Sequence, residues 1–250
     1  GEFNIYIYDR HSRNVYLASP NSSQGFVTNG AVGFNAFTSW VSSNGHYVQY
    51  NSFGDNIVGP QDGCSHSYLR DVPIAVNYKM SSADNQVPLT CVGGTSPGGG
   101  ASITPDGLTA AMATNRMPIG ISQVHVRDMV TKRWTLLTTA LDGGVSNGNS
   151  DGPTQISDDG QVIAFGSIAS NLTADDTNGA GRDCYTFDRA TGRRVRLNGP
   201  VAVPSPDGGS GCGTFRINSV GTHVVFDTLD SLSPVDTGNN SQDVYLRRVR

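Results

Sequence analysis

The chain has 250 residues, 31 of them glycine, and its 17 lysines and arginines against 21 aspartates and glutamates leave a net charge of −4. That length suits a single large domain over residues 1–250, and the mildly acidic balance offers no basic footprint for nucleic acid. No apolar run of about 18 residues occurs, which excludes a membrane-spanning helix and direct insertion by that route. Abundant Gly, Asn, Ser, Thr and Asp without helical periodicity indicate an all-β chain of short strands and turns.

From the N-terminus onward one pattern returns five times, an alternating strand that mostly ends in Asp. Its copies begin at Asn4, His66, Gln123, Asp183 and Asp243, at spacings of 62, 57, 60 and 60 residues. A period of that size means one supersecondary unit used repeatedly, and units that cannot bury their faces alone must stack on neighbours. The modules fall at about 1–19 (partial), 35–92, 101–139, 153–198 and 212–250 (partial). Turn and inner-strand pairs recur as Ser43 to Gly45 with Tyr47 to Tyr50, Pro105 to Gly107 with Thr109 to Met112, and Ser219 to Gly221 with Val224 to Phe226.

The fourth module shows the unit strand by strand. Gln155 to Ser157 is a first strand, Asp158 to Gly160 a turn, and Val162 to Phe165 an apolar strand short enough to be buried on both faces. A polar loop over 170–182 leads to a third strand at 183–188, and Arg189 to Gly192 turns the chain into a charged fourth strand at 193–197. Four antiparallel strands of this kind make a propeller blade with its inner edge near the axis and its outer edge in water. The arginines at 193, 194, 196, 247, 248 and 250 are expected on exposed strand edges. Over the whole chain the count is 17 strands, with an N-terminal pair and a C-terminal module of three. Neither end completes a blade, so the chain is a fragment of a larger propeller or a missing strand comes from elsewhere.

The run Asp159-Gly160-Gln161-Val162-Ile163-Ala164-Phe165, followed by Asp176, Asn178 and Gly179 and then by Asp183 to Asp188 and Arg189 to Gly192, resembles the TolB-type β-propeller repeat of bacterial envelope and secreted proteins. The likeness extends over 151–197, is looser over 211–248 and weakest over 35–137, where residues 114–120 lack the acidic loop. The resemblance implies an exported bacterial scaffold, periplasmic or extracellular, without naming its ligand. Some propellers of this type are enzymes acting on polysaccharide or peptide, which keeps a lyase or hydrolase as the alternative.

Candidate chemistry is sparse. Asp175, Asp176, Asn178 and Asp183 gather oxygen donors before the third strand of one module, and Asp236, Asn239 and Asp243 repeat them in the last. Such loops suit Ca²⁺, which takes six to eight oxygens, or serve as Asx turns that need no metal. Asp9, Asp71, Asp128 and Asp188 recur at the same place in each module, as a turn former does and a catalytic group does not. The histidines at 11, 46, 66, 125 and 223 lack metal-ligand spacing, and no nucleophile elbow or triad is present. No catalytic or cofactor-binding residue is therefore assigned. The glycine runs at 93–100 and 207–213 lack the partners of a phosphate loop. Cys64 and Cys91 flank the outer hairpin of one module, as Cys184 and Cys212 do two modules later, so the pairings are Cys64–Cys91 and Cys184–Cys212, or else four buried thiols. Disulfides favour an oxidising compartment. Trp40, Trp134 and nine tyrosines leave a carbohydrate platform open. The leading expectation is a non-enzymatic binding module with a protein or glycan partner, alone or within a larger chain or complex.

Overall fold

A computed structural model describes residues 4–20, 40–52, 57–58, 65–81, 101–114, 121–177, 179–199, 211–230, 232–233 and 242–250. Among them 17 strands form five antiparallel sheets, and there is no helix. The first sheet pairs β1 (Tyr6–Tyr8) with β2 (Val15–Leu17). Three four-stranded meanders follow. The second blade holds β3 (Trp40–Val41), β4 (Tyr47–Ser52), β5 (His66–Asp71) and β6 (Val76–Lys79); the third holds β7 (Ala101–Ile103), β8 (Thr109–Thr114), β9 (Gln123–Asp128) and β10 (Trp134–Leu136). The fourth holds β11 (Ser150–Ile156), β12 (Val162–Ser167), β13 (Asp183–Asp188) and β14 (Arg194–Arg196). The last sheet joins β15 (Phe215–Ile217), β16 (His223–Thr228) and β17 (Asp243–Arg248).

The modules share one register. β12 pairs with β13 from Val162 opposite Asp188 to Ser167 opposite Asp183, and β16 pairs with β17 from His223 opposite Arg248 to Thr228 opposite Asp243. Because side chains alternate across a strand, each second strand serves two neighbours. Ile163 and Phe165 cluster with Ala111, Ala113, Val124 and Val126 of the third blade, whereas Ala164 clusters with Phe215, Val224 and Phe226 of the last sheet. All of β12 is buried, which is why its sequence is an apolar run rather than an alternation. In β16 and β17 burial alternates, leaving Val225, Val244 and Leu246 exposed. The core is thus a series of inter-sheet layers, where each large side chain contributes about 1.5–3 kcal/mol by leaving water.

Of the arginines expected on exposed edges, Arg193, Arg248 and Arg250 are exposed, whereas Arg194, Arg196 and Arg247 are corrected by their contacts. Arg127 donates to the carbonyl of Met80, Arg194 Nη2 to that of Leu137 at 2.8 Å, and Arg247 to that of Leu197. The three acceptors directly follow β6, β10 and β14, so at three successive junctions a guanidinium reaches back to the same carbonyl of the preceding blade. Arg127 and Arg247 occupy the fifth position of their third strands; Phe187 holds that position in β13, and Arg194, its cross-strand partner on β14, supplies the guanidinium instead. Arg194 lies 5.6 Å over the Phe187 ring. Arg196 is buried as well, and Arg250 reaches Asp188 at 2.9 Å and Asp159 at 3.1 Å. A strand-edge carbonyl at a blade junction has no ladder partner, and a long donor with a fixed fork satisfies it while its stem covers apolar surface.

β1, β5, β9 and β13 leave their sheets through the same turn, which β17, ending in Arg248, does not share. The carboxylate of Asp128 accepts the N–H groups of Val130 and Thr131, that of Asp188 accepts those of Ala190 and Thr191, and that of Asp9 accepts from His11 and the Ser12 hydroxyl. Four residues after the aspartate the backbone is left-handed in every copy, at Arg13, Ala75, Lys132 and Gly192. The periodic aspartates are turn formers.

Candidate functional site

Among the described residues the sequence-derived candidates are not gathered in one centre. His46 and His223 stand exposed, one just before β4 and the other at the start of β16, whereas His125 is buried in β9, edge-on to Trp134 with ring centroids 6.0 Å apart. His66 is buried with its Nδ1 2.8 Å from the Ser81 hydroxyl. Among the described residues no group of three or more His, Cys, Asp or Glu is arranged to hold a metal.

In the acidic loop of the fourth blade, Asp183 is fully buried and pairs with Arg196 at 2.8 Å. Asn198 donates to Asp183 at 2.8 Å and to Asp230 at 2.6 Å. Burial pushes the Asp183 carboxyl above its usual range, against the pull of Arg196. Asp176 accepts from the Tyr185 hydroxyl at 2.9 Å, and Arg196 Nη1 donates to the Asp175 carbonyl at 2.8 Å. A guanidinium therefore already neutralises the deepest carboxylate and ties down the loop. Asn178, Asp236 and Asn239 lie outside the described residues, and Asp243 opens β17.

Cys184 and Cys212 are joined as a disulfide with their Cα atoms 5.1 Å apart, fastening β13 to the segment that enters β15. Cys64 and Cys91 lie outside the described residues.

The tryptophans go into packing: Trp40 and Trp134 are half-buried on the layer between the second and third blades, and Arg127 lies 4.9 Å over the Trp134 ring. Tyr50, Tyr68 and Tyr185 are buried. The most exposed tyrosines are Tyr6, Tyr8 and Tyr16, all on the first sheet. Between that sheet and the second blade lies a cleft of about 740 Å³, lined by Tyr8, Arg10, Tyr16, Val41, Asn44 and Arg70 among others. Burial pushes the Arg70 guanidinium below its usual value, and Nη1 donates to the Ala75 carbonyl at 2.7 Å. Ring faces, guanidinium groups and an amide can hold a polypeptide or a sugar by stacking and hydrogen bonding. Among the described residues the lining holds one carboxylate, Asp9, and no Ser, Thr, Cys, Lys or His. The sequence includes Tyr6, Tyr8 and Tyr16 only within the undivided set of nine tyrosines, because they carry the same alternation as their buried counterparts in other modules. The only local signal is that the fifth position of the first third strand is Tyr8, not the Arg found at positions 70, 127 and 247.

Repeated meanders of up to four antiparallel strands, stacked through inter-sheet cores in chain order, define a β-propeller array. Its fold is TolB-like. TolB from Acinetobacter baumannii superposes with a TM-score of 0.55 at 14% identity, over 98% of this chain and 46% of that one. A chain assigned as TolB in Agrobacterium tumefaciens gives 0.53 at 15%, over 98% and 65%. An oligogalacturonate lyase in complex with manganese gives 0.53 at 14%, over 96% and 58%. At such identities the likeness is one of fold. This chain spans less than two thirds of the length of each of these structures. No protein-family model matches the sequence, and no curated protein does.

Proposed function

We propose that this chain is a non-enzymatic binding scaffold of an exported protein, holding a protein or glycan partner at the cleft between its first sheet and second blade. The observation that carries the reading is the distribution of functional groups. The buried candidates His66 and Asp183 are committed to Ser81 and Arg196, and the exposed Asp128 to its turn, while exposed aromatic rings and guanidinium groups meet at that cleft. Fold alone does not decide between binding and catalysis, since one scaffold serves both. The Cys184–Cys212 disulfide supports the periplasm or the exterior as the compartment.

The test pairs a turnover assay with a binding assay. Oligogalacturonate with Mn²⁺ and unstructured peptides should be left uncleaved, while glycan and peptide arrays should reveal a ligand whose affinity falls about tenfold or more in Arg10→Ala or Tyr16→Ala, equivalent to about 1.4 kcal/mol. Turnover that one substitution abolishes would return the chain to the enzymes. Calcium at residues 175–183 stays a subsidiary proposal. A melting temperature raised by millimolar Ca²⁺, with the rise lost in Asp176→Ala, supports it, and an unchanged melting temperature removes it.

A further inference from the structure

We propose that Arg10 and Arg70 form a carboxylate-binding pair in the cleft between the first sheet and the second blade, and that the partner they fit is an acidic polypeptide segment with apolar side chains beside its carboxylates. The inference deepens the binding-scaffold reading, on which it rests, by choosing the chemistry of the partner.

The repeat is broken at Arg70. Arg70, Arg127 and Arg247 share the fifth position of their third strands. Arg127 and Arg247 donate to the carbonyl of the residue that follows the preceding fourth strand, Met80 and Leu197 respectively. At the first junction the corresponding carbonyl is that of Ala18, directly after β2, yet Arg70 Nη1 donates to the Ala75 carbonyl of its own turn at 2.7 Å. Asn77 ties this junction instead, its side-chain amide donating to the Pro20 carbonyl at 2.9 Å. The second blade is thus joined to the first sheet without the arginine clasp, and the Arg70 guanidinium lies in the wall of the cleft.

An equivalent groove at the last junction shows what the repeat places there. The Ala18 N–H meets the Ile5 carbonyl as the Leu197 N–H meets that of Cys184, so Tyr6 stands where Tyr185 does, Asp9 where Asp188 does and Tyr16 where Val195 does. The Val72 N–H donates to the His46 carbonyl as the Val249 N–H donates to that of Thr222. The last groove, lined by Asp188, Val195, Val249 and Arg250 among others, measures about 300 Å³, and Arg250 reaches Asp188 beside it. Pro73 follows Val72 where Arg250 follows Val249, so a proline holds the place of that cation, and the first cleft has about 740 Å³.

Charge and polarity select the ligand. Among the described residues the lining carries two guanidinium groups against the single carboxylate of Asp9, which is taken up by the His11 N–H and the Ser12 hydroxyl. Arg70 is only 8% exposed while Arg10 is exposed, so a desolvated cation is paired with a solvated one. A carboxylate is the complement of the guanidinium fork, and their hydrogen bonds strengthen where water is excluded. Leu17, Val41, Val72 and the ring of Tyr16 make much of the remaining wall apolar, with Val41 53% and Tyr16 46% exposed. A sugar carries hydroxyls around its ring, which aliphatic walls leave without partners. A peptide with Asp or Glu beside Val or Leu instead puts charge and apolar area where the cleft has their complements.

The probe is an array of short amidated peptides in which acidic, neutral and basic residues are each combined with apolar and with hydroxylated ones, and the hits are measured by fluorescence anisotropy on the intact protein. Peptides both acidic and apolar should dominate, and their affinity should fall as salt rises. Arg70→Met keeps the aliphatic stem without the fork and should weaken binding about tenfold or more. Arg10→Met changes an exposed side chain and leaves the core intact; it should weaken binding as well and flatten the salt dependence. Asn77→Ala loosens the same junction without touching the lining and should leave affinity within about twofold. An array without acidic preference, hits that either arginine substitution leaves unmoved, or an equal loss in Asn77→Ala would each overturn the proposal. Glycan binding at the cleft without acidic-peptide binding would also overturn it while leaving the scaffold reading in place, whereas turnover bears on that reading alone.

Discussion

At the residue scale, Gly45 and Gly107 show how one turn position is used in two environments. Both adopt φ of +73° in the hairpin between first and second strands. A Cβ on Gly45 would meet nothing within 4 Å, whereas on Gly107 it would lie 2.4 Å from the ring of Tyr47 in the second blade. Gly45→Ala should therefore lose only the left-handed backbone preference, about 1–2 kcal/mol. Gly107→Ala adds overpacking against a neighbouring blade and should lose about 1–3 kcal/mol more; urea midpoints of the two variants check the difference. The turn aspartates give a pH signature. The Thr131 and Val130 N–H groups hold the Asp128 carboxyl below its usual range, and the Ser12 hydroxyl and His11 N–H do so for Asp9. A carboxyl depressed in the folded state stabilises it above the unfolded value of about 3.9 and loses that contribution as pH falls through the folded value. Asp128→Ala should be less stable than the parent near neutrality and should lose less on acidification from about pH 6 to about pH 3. An equal loss in both proteins would remove Asp128 from the acid transition.

At the element scale, the junctions are held by two kinds of tie. The Cys184–Cys212 disulfide spans a sequence separation of 28, for which chain-entropy reasoning gives about 3–4 kcal/mol. Cys184→Ala with Cys212→Ala should lower the melting temperature substantially, and reductant should have no further effect through this pair. The arginine clasp is the second tie. Arg194→Ala leaves the Leu137 carbonyl without its guanidinium and should cost about 1.5–3 kcal/mol, the range for hydrogen bonds to charged groups. Phe187→Arg, which restores the residue type that the third and last sheets use at that position, should recover part of the loss when combined with Arg194→Ala. Failure of the double variant to exceed the single one would show that the two sites are not interchangeable.

At the scale of the whole molecule, the first sheet lacks inner strands and the last sheet shows one open apolar face among the described residues, so both ends of the array differ from its interior. The buried Asp183–Arg196 pair, close to the junction of the fourth blade with the last sheet, is where charge matters most to the assembly. Arg196→Met removes the partner of a buried carboxylate and should destabilise the fold by about 3–5 kcal/mol. Raising pH through the Asp183 titration should deepen the defect, because burial favours the neutral acid once the guanidinium is gone. A variant whose midpoint stays at the parent value would show that Asn198 and solvent suffice for Asp183.

The amino-acid sequence by itself determined the strands and their order. The repeat of an alternating strand ending in Asp, the Asp-Gly turns and the apolar run at 162–165 are local patterns, and local backbone preference with side-chain alternation is enough to place them. It also showed the Asp128 and Asp188 positions to be turns, since a residue used identically in successive modules serves a geometry that recurs. What needed the tertiary structure was which side chains face a neighbour and which face water. Tyr6 and Tyr185 have the same place in the pattern, yet one is exposed and the other buried, because exposure depends on whether another strand lies beside them. Arg194 and Arg247 read as charged edges until the carbonyls of the preceding blade came within reach. The cleft at Arg10, Tyr16 and Arg70 likewise arises from residues far apart in sequence, and only the docking of one sheet on the next brings them together.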